Sequence, residues 1–176
     1  MVQQDTKPAT AAAPLEATMT PERMERFLRE PIVAVLSWVT TNARVASSPV
    51  WFEYRDATFY LHVMTETSKA RSMLANPSVS LCIQDQQPPY RYVTVRGTAR
   101  VIDDSSKQAL ALDRRLARRY LGRIGGNYYL EKLYPTFPGE SRLVELRPDH
   151  ISSIDGTAAM NGVALMSMRT MRRLGL

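Results

Sequence analysis

Short runs of β-branched and aromatic residues, separated by polar turns, dominate the first half of the chain. They occupy residues 32–40 (IVAVLSWVT), 45–54 (VASSPVWFEY), 58–64 (TFYLHVM) and 78–85 (SVSLCIQD). Such side chains suit a pleated, half-buried surface. The turns TNAR and RDA are too short for a crossover, so the first three strands pair antiparallel as a meander. A longer strand over residues 90–103 alternates Tyr92, Thr94, Arg96 and Thr98 with Val93, Val95 and Gly97. A glycine inside a strand predicts a bend or bulge there. A last strand pair is expected in SRLVELRP and HISSIDG, residues 141–156.

Helical signals are fewer. Thr20 is a plausible cap, Pro21 suits a first helical position, Met24, Phe27 and Leu28 share one face, and Pro31 stops the run. In TETSKARSMLANP, Thr67 or Ser68 caps a short helix that Asn76-Pro77 ends. Leu110, Leu112, Leu116 and Leu121 predict a helix over residues 105–121, and NYYLEKLY a second short one after Gly125-Gly126. Six strands with few helices predict a nearly closed antiparallel barrel. The expected organisation is a flexible tail over residues 1–18, one domain over 19–156, and a Met- and Arg-rich tail over 157–176.

Composition narrows the function classes. The 176 residues are 44% apolar and 23% charged, the mix of one globular domain. No apolar run approaches the roughly 20 residues of a membrane span. The first residues lack a basic start followed by an apolar stretch, so no secretory signal is expected. The single cysteine, Cys82, excludes a disulfide framework and fits a reduced, cytoplasmic setting, with Cys82 itself a small buried hydrophobe. A net charge of +6 favours anionic partners: nucleic acid, acidic lipid or a phosphorylated cofactor.

Several chemistries lack their signatures. The chain has no phosphate-binding P-loop, no dinucleotide fingerprint, no HExxH and no nucleophile elbow. Its two histidines, His62 and His150, are far apart in sequence and have no metal-ligand company. His62 reads as a partly exposed strand residue.

Two segments carry candidate chemistry. Pro49, within SSPVWF, removes a backbone donor from its strand. It either blocks an edge against aggregation or frees neighbouring amides and carbonyls for a flat heterocycle. TETSK opens a helix, where unpaired amides and the positive dipole end meet the hydroxyls of Thr67 and Ser68 and the charges of Lys69 and Arg71. That is either an ordinary capped helix with solvated basic residues or a phosphate cradle.

Taken in order, SSPVWFEY, FYLHVM, TSKARSMLANPSVSLCI and YRYVTVRGTARVID resemble the pyridoxamine 5'-phosphate oxidase-like FMN-binding split barrels, and more narrowly their flavin- and deazaflavin-dependent oxidoreductase branch. The resemblance spans residues 19–156. It implies a mainly β (α+β) fold, a six-stranded antiparallel split β-barrel with a few flanking helices. It also implies a homodimer with cofactor sites at the interface, and hydride transfer between the cofactor and a small organic substrate. Ser48, Pro49 and Val50 would lie along the tricyclic ring. Val63, Met64, Thr67, Ser68 and Lys69 would surround the phosphate, with Lys69 as its main cation. Tyr90 and Tyr92 would approach the cofactor from the partner subunit, and Tyr90, Arg91 and Tyr92 would line the ring's open face. Trp51 would belong to the barrel wall or dimer seam. No catalytic side chain and no metal are expected.

The chain departs from that pattern in four places. A turn often built on Asp-Gly reads Asn42-Ala43, which demands another geometry or strain. A threonine common at the end of the third strand is Val63. The arginine that some deazaflavin binders place beside the lysine is absent. The arginine-led phosphate signature and carboxy-terminal substrate motif of the true vitamin B6 oxidases are also missing, which argues against pyridoxamine phosphate as substrate. The excess positive charge favours the more anionic deazaflavin coenzyme F-420 over FMN. Besides a split barrel that binds the cofactor without catalysis, two non-enzymatic alternatives remain. One is a nucleic-acid contact through Arg114, Arg115, Arg118 and Arg119, with Arg169, Arg172 and Arg173. The other is haem binding through His62 or His150.

Overall fold

The computed structural model describes residues 18–102, 106–137 and 139–157. Residues 1–17 of the expected 1–18 tail, and most of the carboxy-terminal one with its arginines, lie outside them.

Helix α1 (Pro21–Leu28) starts as its sequence dictates. Thr20 Oγ1 accepts from the Arg23 amide at 3.4 Å, and Pro21 occupies the first turn, where its missing donor costs nothing. Phe27 and Leu28 bury their side chains.

Seven strands form one antiparallel sheet: β1 (Ala34–Val39), β2 (Val45–Val50), β3 (Glu53–Arg55), β4 (Thr58–Met64), β5 (Ser78–Gln84), β6 (Arg91–Val101) and β7 (Ser141–Asp155), in the order β2-β1-β5-β6-β7-β4-β3. The count corrects the expected six in two places. The run expected as one strand over residues 45–54 breaks at Trp51 and Phe52 into β2 and β3. The expected final pair is one 15-residue strand. Pro148 is accommodated in β7 because a register shift between Arg96 and Gly97 of β6 lies opposite it. That is the irregularity Gly97 predicted. A Cβ on Gly97 would stand 2.2 Å from the Arg147 carbonyl oxygen, so only glycine allows the two backbones this approach.

β2 and β3 end the sheet order on opposite sides, yet two residues join them. The three Cα–Cα steps from Val50 to Glu53 span at most about 11 Å. The sheet must therefore curl until its edges meet, which makes a split barrel with the core inside. The core holds the inward residues of each strand, among them Leu36, Phe59, Leu61, Val63, Leu81, Ile83, Val95 and Leu146, closed by Phe27 and Leu28 of α1.

Helix α2 (Ser68–Ala75) links β4 to β5 and packs against β1, β4 and β6. Thr67 caps it by accepting from the Ala70 amide at 3.2 Å, and Asn76 ends it. Helix α3 (Ser106–Tyr128) is two helical segments in succession, the first ending at Leu121 as expected. The break is Gly122, whose φ of +70° is not helical; a second segment then runs through Gly125 and Gly126 into a π-helical turn (Tyr129–Leu133) and a 3-10 turn (Tyr134–Thr136). The expected second helix is therefore present as a separate segment, and it starts just after Gly122 rather than after Gly125-Gly126. Gly126 packs closely on Ala117 of the first segment, where a Cβ would come within 2.9 Å of backbone atoms. At the Asn42-Ala43 turn the chain accepts strain, with Ala43 at φ +60°.

Candidate functional site

β2 sits at a sheet edge, and Pro49 faces Val35 of β1 across the ladder. An edge position tolerates the missing donor. Beside it lies a cavity of about 220 Å³ lined by Val33, Pro49, Val50, Trp51, His62, Lys69 and Tyr129. Residues from β2, β4, α2 and the π turn meet here because the curled sheet brings the β2–β3 crossing next to β4. The fold thus joins the broken SSPV strand and the TSK turn, the two segments singled out from sequence, at one cavity.

Lys69 reaches the cavity from the first turn of α2. Its Nζ donates to Ser48 Oγ at 3.0 Å and lies 5.6 Å from the Trp38 ring centroid. The side chain is half-buried, and no carboxylate pairs with it among the described residues. Burial pushes its pKa below the ordinary lysine value. A half-buried ammonium with only a hydroxyl partner, facing a cavity, is arranged to receive an anion.

The remaining expected site residues divide. Ser48 holds Lys69, and Val50 lines the cavity with Pro49. Thr67 is occupied as the α2 cap, its hydroxyl also donating to the Met64 carbonyl at 2.7 Å. Ser68 is exposed and Met64 half-buried. Val63 points inward to the core, since β4 alternates and His62 takes the outward position beside it. Val63, Met64, Thr67 and Ser68 do not line the cavity, and neither do Tyr90 and Tyr92 of the same chain. Arg91 is tied down elsewhere: its guanidinium donates to both carboxylate oxygens of Glu30 and both of Asp85 at 2.7–3.1 Å, which raises its pKa. Expected as a surface for substrate, it is instead a clamp between the α1 end and the β5–β6 loop.

Two residues do more than their sequence readings foresaw. Trp51, expected in the wall or seam, lines the cavity, stacked on Tyr120 at 5.1 Å and tilted against Tyr129 at 5.0 Å. Tyr120 in turn donates to the Ile32 carbonyl at 3.0 Å. His62 also lines the cavity, and its Nδ1 contacts Asp113 Oδ1 of α3. Asp113, 1% exposed, accepts from Tyr134 Oη at 2.5 Å and Ser141 Oγ at 3.3 Å. No motif foretold this cluster because its members come from β4, α3, the 3-10 turn and β7. A sequence signal existed only in the polar Asp113 amid the apolar face of α3. His150 is exposed on β7.

The basic face of α3 is partly spent inside the molecule. Arg115 donates to Glu53 at 2.8 Å, and Arg119 caps the carbonyls of Leu28, Glu30 and Phe52 at 2.5–3.3 Å. Cys82 is half-buried in β5, and burial raises its pKa. Among the described residues no group of three His, Cys, Asp or Glu could hold a metal ion, and no helix is long and apolar enough to cross a membrane.

Known proteins share this architecture. The "F420 Reductase" structure is 25% identical, covers 76% of this chain and 98% of its own, and superposes with a TM-score of 0.61. A FAD-binding protein from Mesorhizobium loti shares the fold at 18% identity and TM-score 0.55, covering 77% of this chain and 94% of its own. A pyridoxine/pyridoxamine 5'-phosphate oxidase of Anaplasma phagocytophilum (strain HZ) is 35% identical over 85 residues, 48% of this chain. That match spans only 41% of the Anaplasma protein. The family described as Pyridoxamine 5'-phosphate oxidase matches residues 20–155. That match takes in every described strand and both segments that meet at the cavity, and the chain belongs to the pyridoxamine 5'-phosphate oxidase family.

Proposed function

We propose that this chain is an oxidoreductase that binds a phosphorylated flavin or deazaflavin in the Pro49–Lys69 cavity, with preference for the deazaflavin. The observation that carries this reading is the Lys69 ammonium: half-buried, aimed into a cavity, and without a carboxylate. A phosphate there completes its charge balance, while Pro49, Val50 and Trp51 offer a flat apolar wall for a ring. The net charge of +6 adds a long-range attraction that a more anionic coenzyme exploits further. The F420 reductase and the FAD-binding protein, whose names carry such cofactors, support the choice of ligand class.

When bound, the ring supplies the hydride. The chain's own residues bind and orient. Lys69 holds the phosphate, Ser48 fixes the Lys69 amine, and the Trp51–Tyr120 stack keeps the wall rigid. At about 220 Å³ the cavity is smaller than the ~300–1,000 Å³ typical of ligand sites. A second copy of the chain would supply the remaining wall, and Tyr90, 47% exposed, is free to serve as the partner's contribution. The reading includes a homodimer in the cytoplasm and a small organic hydride acceptor. Nucleic acid is disfavoured as a partner, since Arg115 and Arg119 are engaged internally.

Separate fluorescence titrations of the purified protein with FMN and with deazaflavin coenzyme F-420 test the assignment. Saturable binding of either, tighter for the deazaflavin and weakened by Lys69→Ala, is expected. Absence of binding by both would overturn it.

A further inference from the structure

Asp113 poses a charge problem that the phosphate site resolves. Its carboxylate is 1% exposed, and the groups around it are two hydroxyls, Tyr134 and Ser141, and the His62 ring. Burial, with the Asp113 bond as a lesser cause, raises the Tyr134 pKa, so Tyr134 stays a proton donor. No arginine or lysine pairs with Asp113 among the described residues. A buried carboxylate demands a nearby cation or several hydrogen bonds, and the one side chain here able to become a cation is His62. His62 Nδ1 lies against Asp113 Oδ1, both atoms buried and neither satisfied by a hydrogen bond; Nε2 has no partner among the described residues, and the ring lines the cavity with Lys69.

We infer that His62 is a second, proton-dependent ligand of the cofactor phosphate, charged by Asp113 on one nitrogen and donating to phosphate from the other. This rests on the reading of the Lys69 cavity as a phosphate site. The neutral ring, keeping its proton on Nδ1 for Asp113, presents a lone pair at Nε2 and repels a phosphate oxygen. Taking one proton from solvent turns Nε2 into a donor. Binding and proton uptake are then one event: imidazole, phosphate and a solvent proton become an imidazolium–phosphate pair.

The surrounding charges set the sign of the coupling. Asp113 from α3 favours the imidazolium, and Lys69 from α2, lining the same cavity, opposes it. Tyr134 stands edge-on to the ring at 6.5 Å, and Tyr129 from the π turn lines the cavity; both stay neutral, their pKa values raised chiefly by burial. Arg142 of β7, in register with Val63, spends its charge on Glu140 at 2.6 Å. Tyr60 shares the outward face of β4 and pairs with Glu53 of β3. Without phosphate, the Lys69 repulsion offsets part of the Asp113 attraction. A bound phosphate reverses that repulsion and draws the proton onto His62.

Calorimetric titration of the full-length protein with FMN, at pH 7.5 in two buffers of different ionisation enthalpy, tests this. Riboflavin, which lacks the phosphate, is the control. Wild type should take up a substantial fraction of one proton per FMN bound, and its affinity should fall as pH rises. His62→Gln should lose both effects, and riboflavin should show neither. Nitrogen chemical shifts of the two histidines report without any substitution: on adding FMN, His62 should move to the doubly protonated form while exposed His150 stays unchanged. FMN binding that depends on Lys69, with no proton uptake and no His62 response, would overturn this inference and leave the phosphate site standing. No binding of FMN or deazaflavin would overturn both.

Discussion

Lys69 Nζ and Ser48 Oγ, 21 residues apart in sequence, lie 3.0 Å apart between α2 and the edge strand β2. The bond joins the helix start to the strand that Pro49 interrupts. It also leaves a cation whose only described hydrogen-bond partner is a neutral hydroxyl, so the energetic demand for an anion is built into the apo arrangement.

Replacing Lys69 by alanine should weaken cofactor binding while leaving the fold intact, since the side chain has no ion pair to lose. A charge-assisted phosphate contact is worth about 1.5–3 kcal/mol, so affinity should drop roughly 10-fold or more. Fluorescence titration measures the loss, and an unchanged far-UV circular dichroism spectrum checks the fold. Equal affinities for wild type and variant, with both cofactors, would contradict the assignment.

The lowered Lys69 pKa gives a second, higher-pH limb to binding. Burial favours the neutral amine, so the protein loses this cation at a pH below the ordinary 10.5. The same depression means the unfolded chain binds more protons than the folded one between the two pKa values. Lys69 therefore adds stability as pH rises through that window. Cofactor affinity should fall there in wild type but not in Lys69→Ala, which a pH series of binding isotherms would show.

Gly97→Ala should destabilise the barrel without touching the cavity. The added Cβ meets the Arg147 carbonyl oxygen at 2.2 Å, a backbone atom held in the β6–β7 ladder at the register shift. Relief requires displacing β7, and overpacking of this kind costs about 1–3 kcal/mol. A lower urea midpoint with unaltered slope would register it; a midpoint equal to wild type would show that the ladder can yield.

Ala57→Gly should act in the opposite direction. Arg55 and Thr58 pair across a two-residue hairpin loop in which Asp56 and Ala57 both have positive φ, 51° and 53°. Such a loop favours Asp-Gly, because an alanine Cβ is strained in the left-handed region. Relief of that strain, less the extra freedom glycine has when unfolded, should raise stability by about 0.5–1 kcal/mol. Thermal unfolding of the two proteins decides the sign.

Most of the fold was legible because its determinants are local. Thr20 and Thr67 cap where short-range hydrogen bonding dictates, Asn76-Pro77 stops α2, and Gly97 marks the bulge. The resemblance grouped Val63 with the phosphate residues, whereas the structure turns its side chain inward beside Phe59 and Leu61. The local signal failed where long-range pairing overrides it. Pro148 does not end β7, because the bulge across from it absorbs the irregularity, and the glycine that divides the two α3 segments is Gly122 rather than Gly125 or Gly126.

The candidate site divides along the same line. Sequence alone supplied Lys69 at a helix start and Pro49 in a broken strand, since each is a local chemical oddity. Tertiary structure decided that they share a cavity, that Trp51 forms its wall, and that His62 meets Asp113. Those contacts join residues tens of positions apart, and only the curl that brings the two sheet edges together places them within reach. Sequence spacing records hydrogen bonds along a strand or helix, but it carries no measure of how far a sheet bends.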